Sequence, residues 1–345
     1  MSDAEKPQSK SKKNEPKSSF KKVSAFLVGL IVVVVFAGSG FSYWLAKNFT
    51  RSWVLTQEKV VIVPQGSGVA SIAQLLEKEG VINNALVFRI VLRFNQLDKQ
   101  LKAGEYLFPA RVTPKQVTRI LEEGKTVLHR FTVAEGLTSV EVVAQLNAQD
   151  GLNGQVTHIP AEGSLLPETY SYHRGMARAG VLSHMQETMI KTLDELWENR
   201  QEGLPFKTKE EALILASIVE KETGIRAERA LVAGVFINRL KKRMRLQTDP
   251  TVVYGMTMGQ EPLGRPLSRK DLKTPTPYNT YTNYGLPPGP ICNPGRASIE
   301  AVLNPDQTDA LYFVADGTGG HAFAKTLAEH NRNVAQWRRI ERSRD

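Results

Sequence analysis

The hydrophobic and polar positions divide the chain into stretches with different periods. From Val23 to Ala46 there is no period at all: VSAFLVGLIVVVVFAGSGFSYWLA holds no charged residue. A helix that crosses the hydrocarbon core of a bilayer needs roughly 20 such residues. Tyr43 and Trp44 fall where an interfacial aromatic belt would lie, and Lys47 and Arg51 follow. A buried core helix rarely runs this far without a charge. A cleavable signal peptide has a shorter apolar stretch and a small-residue exit, whereas here the apolar run continues past Ala37, Ser39 and Ser42. The pattern predicts an uncleaved anchor. Residues 1–22 are polar, with Lys6, Lys10, Lys12, Lys13, Lys17, Lys21 and Lys22 set against Asp3, Glu5 and Glu15. That composition predicts a disordered basic tail. Its cations outnumber those just after the span, which places the tail in the cytoplasm and the rest of the chain outside.

Beyond the anchor a pattern occurs twice. Val61-Ile-Val-Pro-Gln-Gly66 is followed by Val69, Ile72, Ala73 and Leu75; Phe131-Thr-Val-Ala-Glu-Gly136 is followed by Val140, Val143, Ala144 and Leu146. Each copy reads as a short strand, a turn at glycine and an amphipathic helix. This is how a LysM-like glycan-binding unit begins, and also how many other α+β folds begin. Between the copies, Phe88–Phe94 reads as a helical run and Ala103–Pro109 as a short strand. Thr113 as N-cap with Pro114 at the first helical position predicts a helix ending at Gly124.

A third helix carries candidate chemistry. Thr208 and Glu211 have the spacing of a capping box. The helix Ala212-Leu-Ile-Leu-Ala-Ser-Ile-Val-Glu-Lys-Glu-Thr223 is expected to stop at a Gly224 cap. Its interior is apolar nearly all round, which predicts burial in a domain core. Two carboxylates close it. Residues two apart differ by about 200° around a helix, so Glu220 and Glu222 face different ways. Glu222 lies over Leu215, Ile218 and Val219, and Glu220 over Leu213, Ala216 and Ser217. Bulky apolar neighbours raise a carboxyl pKa, and a raised pKa suits a general acid at neutral pH. Glu222 is therefore the candidate acid. The alternative is two solvated end-of-helix carboxylates, although the helix macrodipole opposes negative charge there.

Composition changes the picture little. The 345 residues, 41% of them hydrophobic, suffice for one or two globular domains. The net charge of +10 suits an anionic partner such as nucleic acid, acidic headgroups or a polymer bearing carboxylates. The membrane anchor weakens the nucleic-acid reading. The one cysteine, Cys292, excludes an internal disulfide. No His/Cys/Asp cluster has metal-ligand spacing and no Gly-rich phosphate loop is present, so no metal or other cofactor is expected.

The run Ala216-Ser-Ile-Val-Glu-Lys-Glu-Thr223 resembles the active-site helix of the YceG-like family of endolytic murein transglycosylases. Further matches follow in order: Val235-Phe-Ile-Asn-Arg-Leu240, Leu246-Gln-Thr-Asp-Pro-Thr251 with Tyr254-Gly255, Thr276-Pro-Tyr-Asn-Thr-Tyr281, Gly285-Leu-Pro-Pro-Gly289, and Leu311-Tyr-Phe-Val-Ala-Asp-Gly317 with Gly320-His321 and Phe323. Leu166-Pro-Glu-Thr-Tyr170 fits the family pattern upstream. The resemblance covers nearly all of the chain after Val61.

The resemblance implies an α+β protein with a single N-terminal transmembrane helix, a LysM-like α+β subdomain, and a mixed α+β catalytic domain with a lysozyme-like active-site helix. The implied divisions are a tail at 1–22, the span at 23–46, the LysM-like part and linker at 47–155, and the catalytic domain at 156–345. Glu222 falls on the family's catalytic Glu. The implied substrate is peptidoglycan, cut between N-acetylmuramic acid and N-acetylglucosamine to leave 1,6-anhydro ends. Cell-wall synthesis proteins are implied partners. Gln247, Thr248, Asp249, Tyr278, Asn279 and Tyr281 are expected to bind substrate, with Asp249 also a candidate N-cap ahead of Pro250. Arg239, Lys241, Lys242, Arg243 and Arg245 read mostly as a solvated face, and His321 as a strand-end residue. Two alternatives remain: a glycan-binding scaffold without catalysis, and a water-using muramidase with Asp249 or Glu228 as second carboxylate.

Overall fold

The charge-free stretch is helical in the structure, a computed structural model that describes residues 19–51 and 54–343. Helix α1 (Ser19–Arg51) extends the predicted span at both ends. Its segment Ser24–Arg51 has a mean hydropathy of 2.3 and is long and apolar enough to cross a membrane. Phe26 and Phe36 stand more than 70% exposed on it. Leaving such side chains in water forgoes about 25 cal/mol per Å² of apolar surface, so a lipid environment suits this helix. The predicted tail lies mostly outside the described residues.

The described residues form two compact units, Met1–Val127 and Leu128–Asp345 in chain numbering. In the first, β1 (Lys59–Val63), α2 (Val69–Lys78), α3 (Ala85–Phe94) and β2 (Gly104–Phe108) follow in β-α-α-β order. The two strands pair antiparallel with Val61 opposite Tyr106. Val61, Val63, Tyr106 and Phe108 alternate inward, as period-two patterning requires, and meet Ile72, Leu76, Phe88 and Leu92 in one core. Helix α4 (Pro114–Glu123) then forms where Thr113 and Gln116 make a reciprocal capping box, and it ends at Gly124, whose φ of 69° needs a residue without Cβ.

The second unit opens on the second copy of the repeat. Strand β3 (Leu128–Thr132) leads to α5 (Ser139–Ala148), which is capped by the Thr138–Glu141 box. The inward stripe of α5 is Ser139, Val142, Val143 and Leu146; Ala144, expected inside, faces out because Val142 takes its place in that spacing. Strand β3 finds its partner across a long excursion, in β4 (Thr169–His173), with Phe131 opposite Tyr170. The second copy is thus built into the unit that holds the candidate chemistry, and the expected boundary near residue 155 falls inside that unit.

Then come α6 (Arg178–Glu198), α7 (Lys209–Glu222), α8 (Arg229–Lys241), α9 (Asp249–Thr257), α10 (Arg269–Lys273), α11 (Arg296–Leu303), β5 (Tyr312–Ala315), β6 (His321–Ala324) and α12 (Leu327–Arg342). Helix α7 is central: Ala212, Leu213, Leu215, Ala216, Ile218 and Val219 pack with Val232, Phe236, Ile299 and Val302 in the largest core. Strands β5 and β6 form an antiparallel hairpin, with Phe313 opposite Phe323. The protein is mixed α and β, with small sheets and one N-terminal apolar helix.

Candidate active site

The end of α7 sets two carboxylates on opposite sides, as helical geometry dictates. The helix starts at Thr208, whose hydroxyl accepts from the Glu211 amide at 3.3 Å. The return half of the expected box is displaced by one residue: the Glu211 carboxylate accepts from the Lys207 amide, not from that of Thr208. The far end also differs from expectation. Thr223, in an extended conformation, is the C-cap, and its hydroxyl accepts from the Ile225 amide at 3.1 Å. Gly224 is not a left-handed cap. The turn after α7 is closed by a side chain, so the glycine's freedom is not needed there.

Glu220 is sealed in, with its side chain 4% exposed. Its Oε1 accepts from Arg229 Nη2 at 3.1 Å, and its Oε2 from the Gly295 amide at 2.9 Å. The same Arg229 nitrogen donates to Glu135 Oε2 at 2.9 Å. Glu135 belongs to the turn of the second repeat, so that turn, α7 and α8 share one ion-pair network. Lys221 Nζ reaches the Gly136 carbonyl at 3.2 Å. Asn293, fully buried, joins the same regions: its amide donates to the Leu137 carbonyl and its Oδ1 accepts from the Leu165 amide. Next to it the buried Cys292 Sγ contacts the Ser217 carbonyl, and burial pushes its thiol well up.

Glu222 faces the other way, into a cleft of about 590 Å³. It keeps some surface open to that cleft while protein surrounds the rest of it. Burial is the main reason its carboxyl is pushed up to about 7 from an ordinary 4.5. The Thr248 hydroxyl opposes this, the negative charge of Asp249 adds to it, and positive charge at His321 and Arg239 again opposes it. Thr248 Oγ1 is buried and makes no well-formed hydrogen bond of its own, so its influence on Glu222 is that of a nearby dipole. A carboxyl in this range is populated in both protonation states at neutral pH, as a group that first gives and then takes a proton must be.

The structure brings some expected residues to Glu222 and leaves others apart. Gln247, Asp249 and Tyr281 line the cleft, and the Tyr281 hydroxyl donates to Asp249 Oδ1 at 2.7 Å. Asp249 is the first residue of α9 and Thr248 takes the N-cap position, which corrects the expected cap. Asn279 is fully buried and donates its amide hydrogens to the carbonyls of Leu272 and Thr274, bracing its loop. Tyr278 packs against Tyr254, with ring centroids 4.8 Å apart. Neither lines the cleft. Lys241, Lys242, Arg243 and Arg245 are exposed as expected, but Arg239 is buried and forms part of the cleft wall. His321 begins β6 and holds Glu228 through its ring Nδ1 at 2.7 Å and its amide at 3.0 Å.

Sequence reasoning gave no site role to Phe236, Leu246, Tyr312, Phe313, Val314, Leu327, His330 and Asn331, which complete the wall. His330 stacks on Tyr312 with centroids 5.2 Å apart, and burial with the nearby Arg239 charge lowers its pKa. Leu327, His330 and Asn331 fall on one face of α12, and nothing local in the sequence shows that this face borders Glu222. Among the described residues no group of three or more His, Cys, Asp or Glu is placed to hold a metal.

Comparison with known proteins places the chain. It is 34% identical over 305 residues to an endolytic murein transglycosylase of Bacillus subtilis, covering 78% of this chain and 82% of that protein. It is 30% identical over 367 aligned positions to an endolytic murein transglycosylase of Streptococcus pneumoniae, covering 91% of this chain and spanning only 65% of that longer protein. A crystal structure of a yceG-like protein from Listeria monocytogenes is 33% identical, with a TM-score of 0.48, over 80% of this chain and 99% of that one. Residues 61–336 match the YceG-like family, and the chain belongs to it.

Proposed function

We propose that this chain is an endolytic lytic transglycosylase of peptidoglycan with Glu222 as its acid and base. The observation that carries the reading is the Glu222 carboxyl, pushed up to about 7 at the wall of an open cleft. Protonated Glu222 gives its proton to the glycosidic oxygen as the bond from C1 of N-acetylmuramic acid breaks. The resulting carboxylate takes the proton of that sugar's C6 hydroxyl, whose oxygen bonds to C1. The products are a new chain end and a 1,6-anhydro ring, no water is consumed, and Glu222 is again protonated. An intramolecular nucleophile has the advantage of proximity. Gln247, Asp249 and Tyr281 border this reaction and serve to hold sugar, while the buried Thr248 stays behind Glu222.

Asp249 is the observation that favours a second reading. It shares the cleft, and a hydrolase would use it to activate water across the scissile bond, at about 6.5 to 9.5 Å from the acid. Glu228 suits that role less, since His321 occupies both its oxygens. Glycan strands incubated with the purified chain in detergent separate these readings by mass spectrometry. Anhydro ends support the transglycosylase, reducing ends the hydrolase, and intact strands leave a binding scaffold.

The β-α-α-β arrangement of the first unit supports a LysM-like glycan-binding role for part of residues 47–155. The charge distribution around α1 supports a cytoplasmic N-terminus and a periplasmic catalytic part, anchored near nascent strands and the proteins that synthesise them. A phosphatase fused after Asp345 is then active, and a fluorescent reporter that matures only in the cytoplasm stays dark.

A further inference from the structure

Arg239 has surroundings unusual for a guanidinium. It is 8% exposed. Its Nε donates to the Leu311 carbonyl at 2.6 Å and its Nη1 to the Leu246 carbonyl at 2.7 Å, while its Cζ lies 5.2 Å from the Tyr312 ring centroid. Among the described residues no carboxylate forms an ion pair with it within 4 Å. A buried cation is ordinarily paired, since desolvation without compensation is costly. Three backbone carbonyls, the third that of Arg245 at 3.4 Å from Nη1, and a ring face fix the group in place but do not neutralise its charge. The acidic groups on the cleft that it lines are Glu222 and Asp249, and the Asp249 carboxylate already accepts from Tyr281.

We propose that Arg239 is a positioning residue for Glu222: its unpaired charge, held rigidly in the cleft wall, steadies the carboxylate that must exist between the two proton transfers. This rests on the transglycosylase reading for its purpose, but not for its physics. A carboxyl that acts in turn as acid and as base works best when neither form is strongly disfavoured. Burial alone favours the neutral form, and so does the charge of Asp249. On the other side stand the Thr248 dipole from the start of α9, His321 on β6 and Arg239 on α8. Tyr281 and, next to Arg239, Tyr312 on β5 and His330 on α12 are the remaining titratable groups on this wall. Arg239 is the one cation among them whose charge does not depend on pH in the working range.

The test is a direct titration of Glu222, read by carbon NMR of the full chain in micelles with carboxyl-labelled Glu and assigned by the loss of one signal in Glu222→Gln. In Arg239→Met the Glu222 midpoint moves upward, and in Arg239→Lys, which keeps the charge, by clearly less. The alkaline limb of kcat/KM follows the same order. Should Arg239→Met prove unfolded by circular dichroism, Arg239→Gln and Arg239→Lys are compared instead. An unmoved midpoint in a folded, charge-removed variant overturns the proposal, as does an equal movement in Arg239→Lys. A wild-type chain that titrates as described but yields no anhydro product defeats the transglycosylase reading and leaves the electrostatic role of Arg239 standing.

Discussion

The last turn of α7 has two sides that differ in kind. On the Glu220 side both carboxylate oxygens are taken: Arg229, the Gly295 amide and, through Arg229 Nη2, Glu135 make a buried ion-pair network. On the Glu222 side the carboxyl stands at an open cleft, partly neutral, with a hydroxyl dipole and distant cations for company. One carboxylate is spent on holding the helix end and the other is kept free for chemistry. Burial alone therefore does not mark a catalytic acid. Both residues are shielded from water, and what separates them is whether a cation compensates the charge directly.

The sharpest way to break the comparison is to neutralise the open side. Glu222→Gln is near-isosteric and cannot titrate, so cleavage should fall by about 10²–10⁴-fold or more while the fold remains. Measured by release of anhydro ends, undiminished activity would remove Glu222 from the mechanism. On the closed side, Arg229→Met leaves Glu220 buried without its cation. Loss of one partner of a buried pair destabilises by about 3–5 kcal/mol, to be read as a lowered denaturant midpoint. Glu220→Gln should also destabilise, since it removes the charge that Arg229 compensates, while cleavage should suffer less than in Glu222→Gln because Glu220 faces away from the cleft. A stability unchanged by either substitution would show that the network is not what fixes the helix end.

These two sides were unequally legible in the sequence. The repeat, the long apolar N-terminal helix, α7 and the caps at Thr113 and Thr208 could be read because apolar pattern and capping are local features of the chain. The divergence of Glu220 and Glu222 was legible for the same reason. The partners were not. Glu135, Arg229 and Gly295 lie far apart in sequence, and no spacing rule joins them. Arg239 looked like one more cation in a basic run, because its carbonyl partners at Leu246 and Leu311 are set by tertiary folding. Asn279 looked like a sugar ligand because amides often are, and its real work is bracing three carbonyls of its own loop.

A third prediction uses pH. Glu222 has a folded pKa of about 7 against 4.5 when unfolded. The unfolded chain therefore loses this proton more readily. The contribution favouring the folded state is intact below about pH 4.5 and is lost as pH rises through 7. By linkage the loss approaches about 3 kcal/mol. Glu222→Gln has no such loss, so its stability relative to wild type should grow between pH 4.5 and 7.5 and then level off. Urea titrations at four pH values test this. A difference that stays flat with pH would mean that the folded carboxyl titrates normally, and the distinction between the two sides would then rest on geometry alone.

The smallest effect isolates the closed side from its own supports. Gly295 precedes α11 with an ordinary φ of −73°, so alanine meets no backbone strain there. A Cβ at this position would instead run into the Glu135 side chain, within 3 Å of its Cγ and Cδ. Glu135 can move, since its side chain is 36% exposed, but moving takes it away from Arg229. Gly295→Ala should therefore lower stability by about 1 kcal/mol, and Glu135→Ala by a similar amount, since each disturbs the same partly exposed pair. The double variant should lose less than the sum, because the clash disappears with Glu135. Cleavage should be nearly unaffected in all three, since Glu222 is on the other side of the helix. Additive losses in this cycle would mean that Gly295 is needed for some reason other than the approach of Glu135. A large fall in cleavage at preserved stability would mean that the two sides of α7 are coupled, and that the closed network tunes the open carboxyl as well as holding the helix.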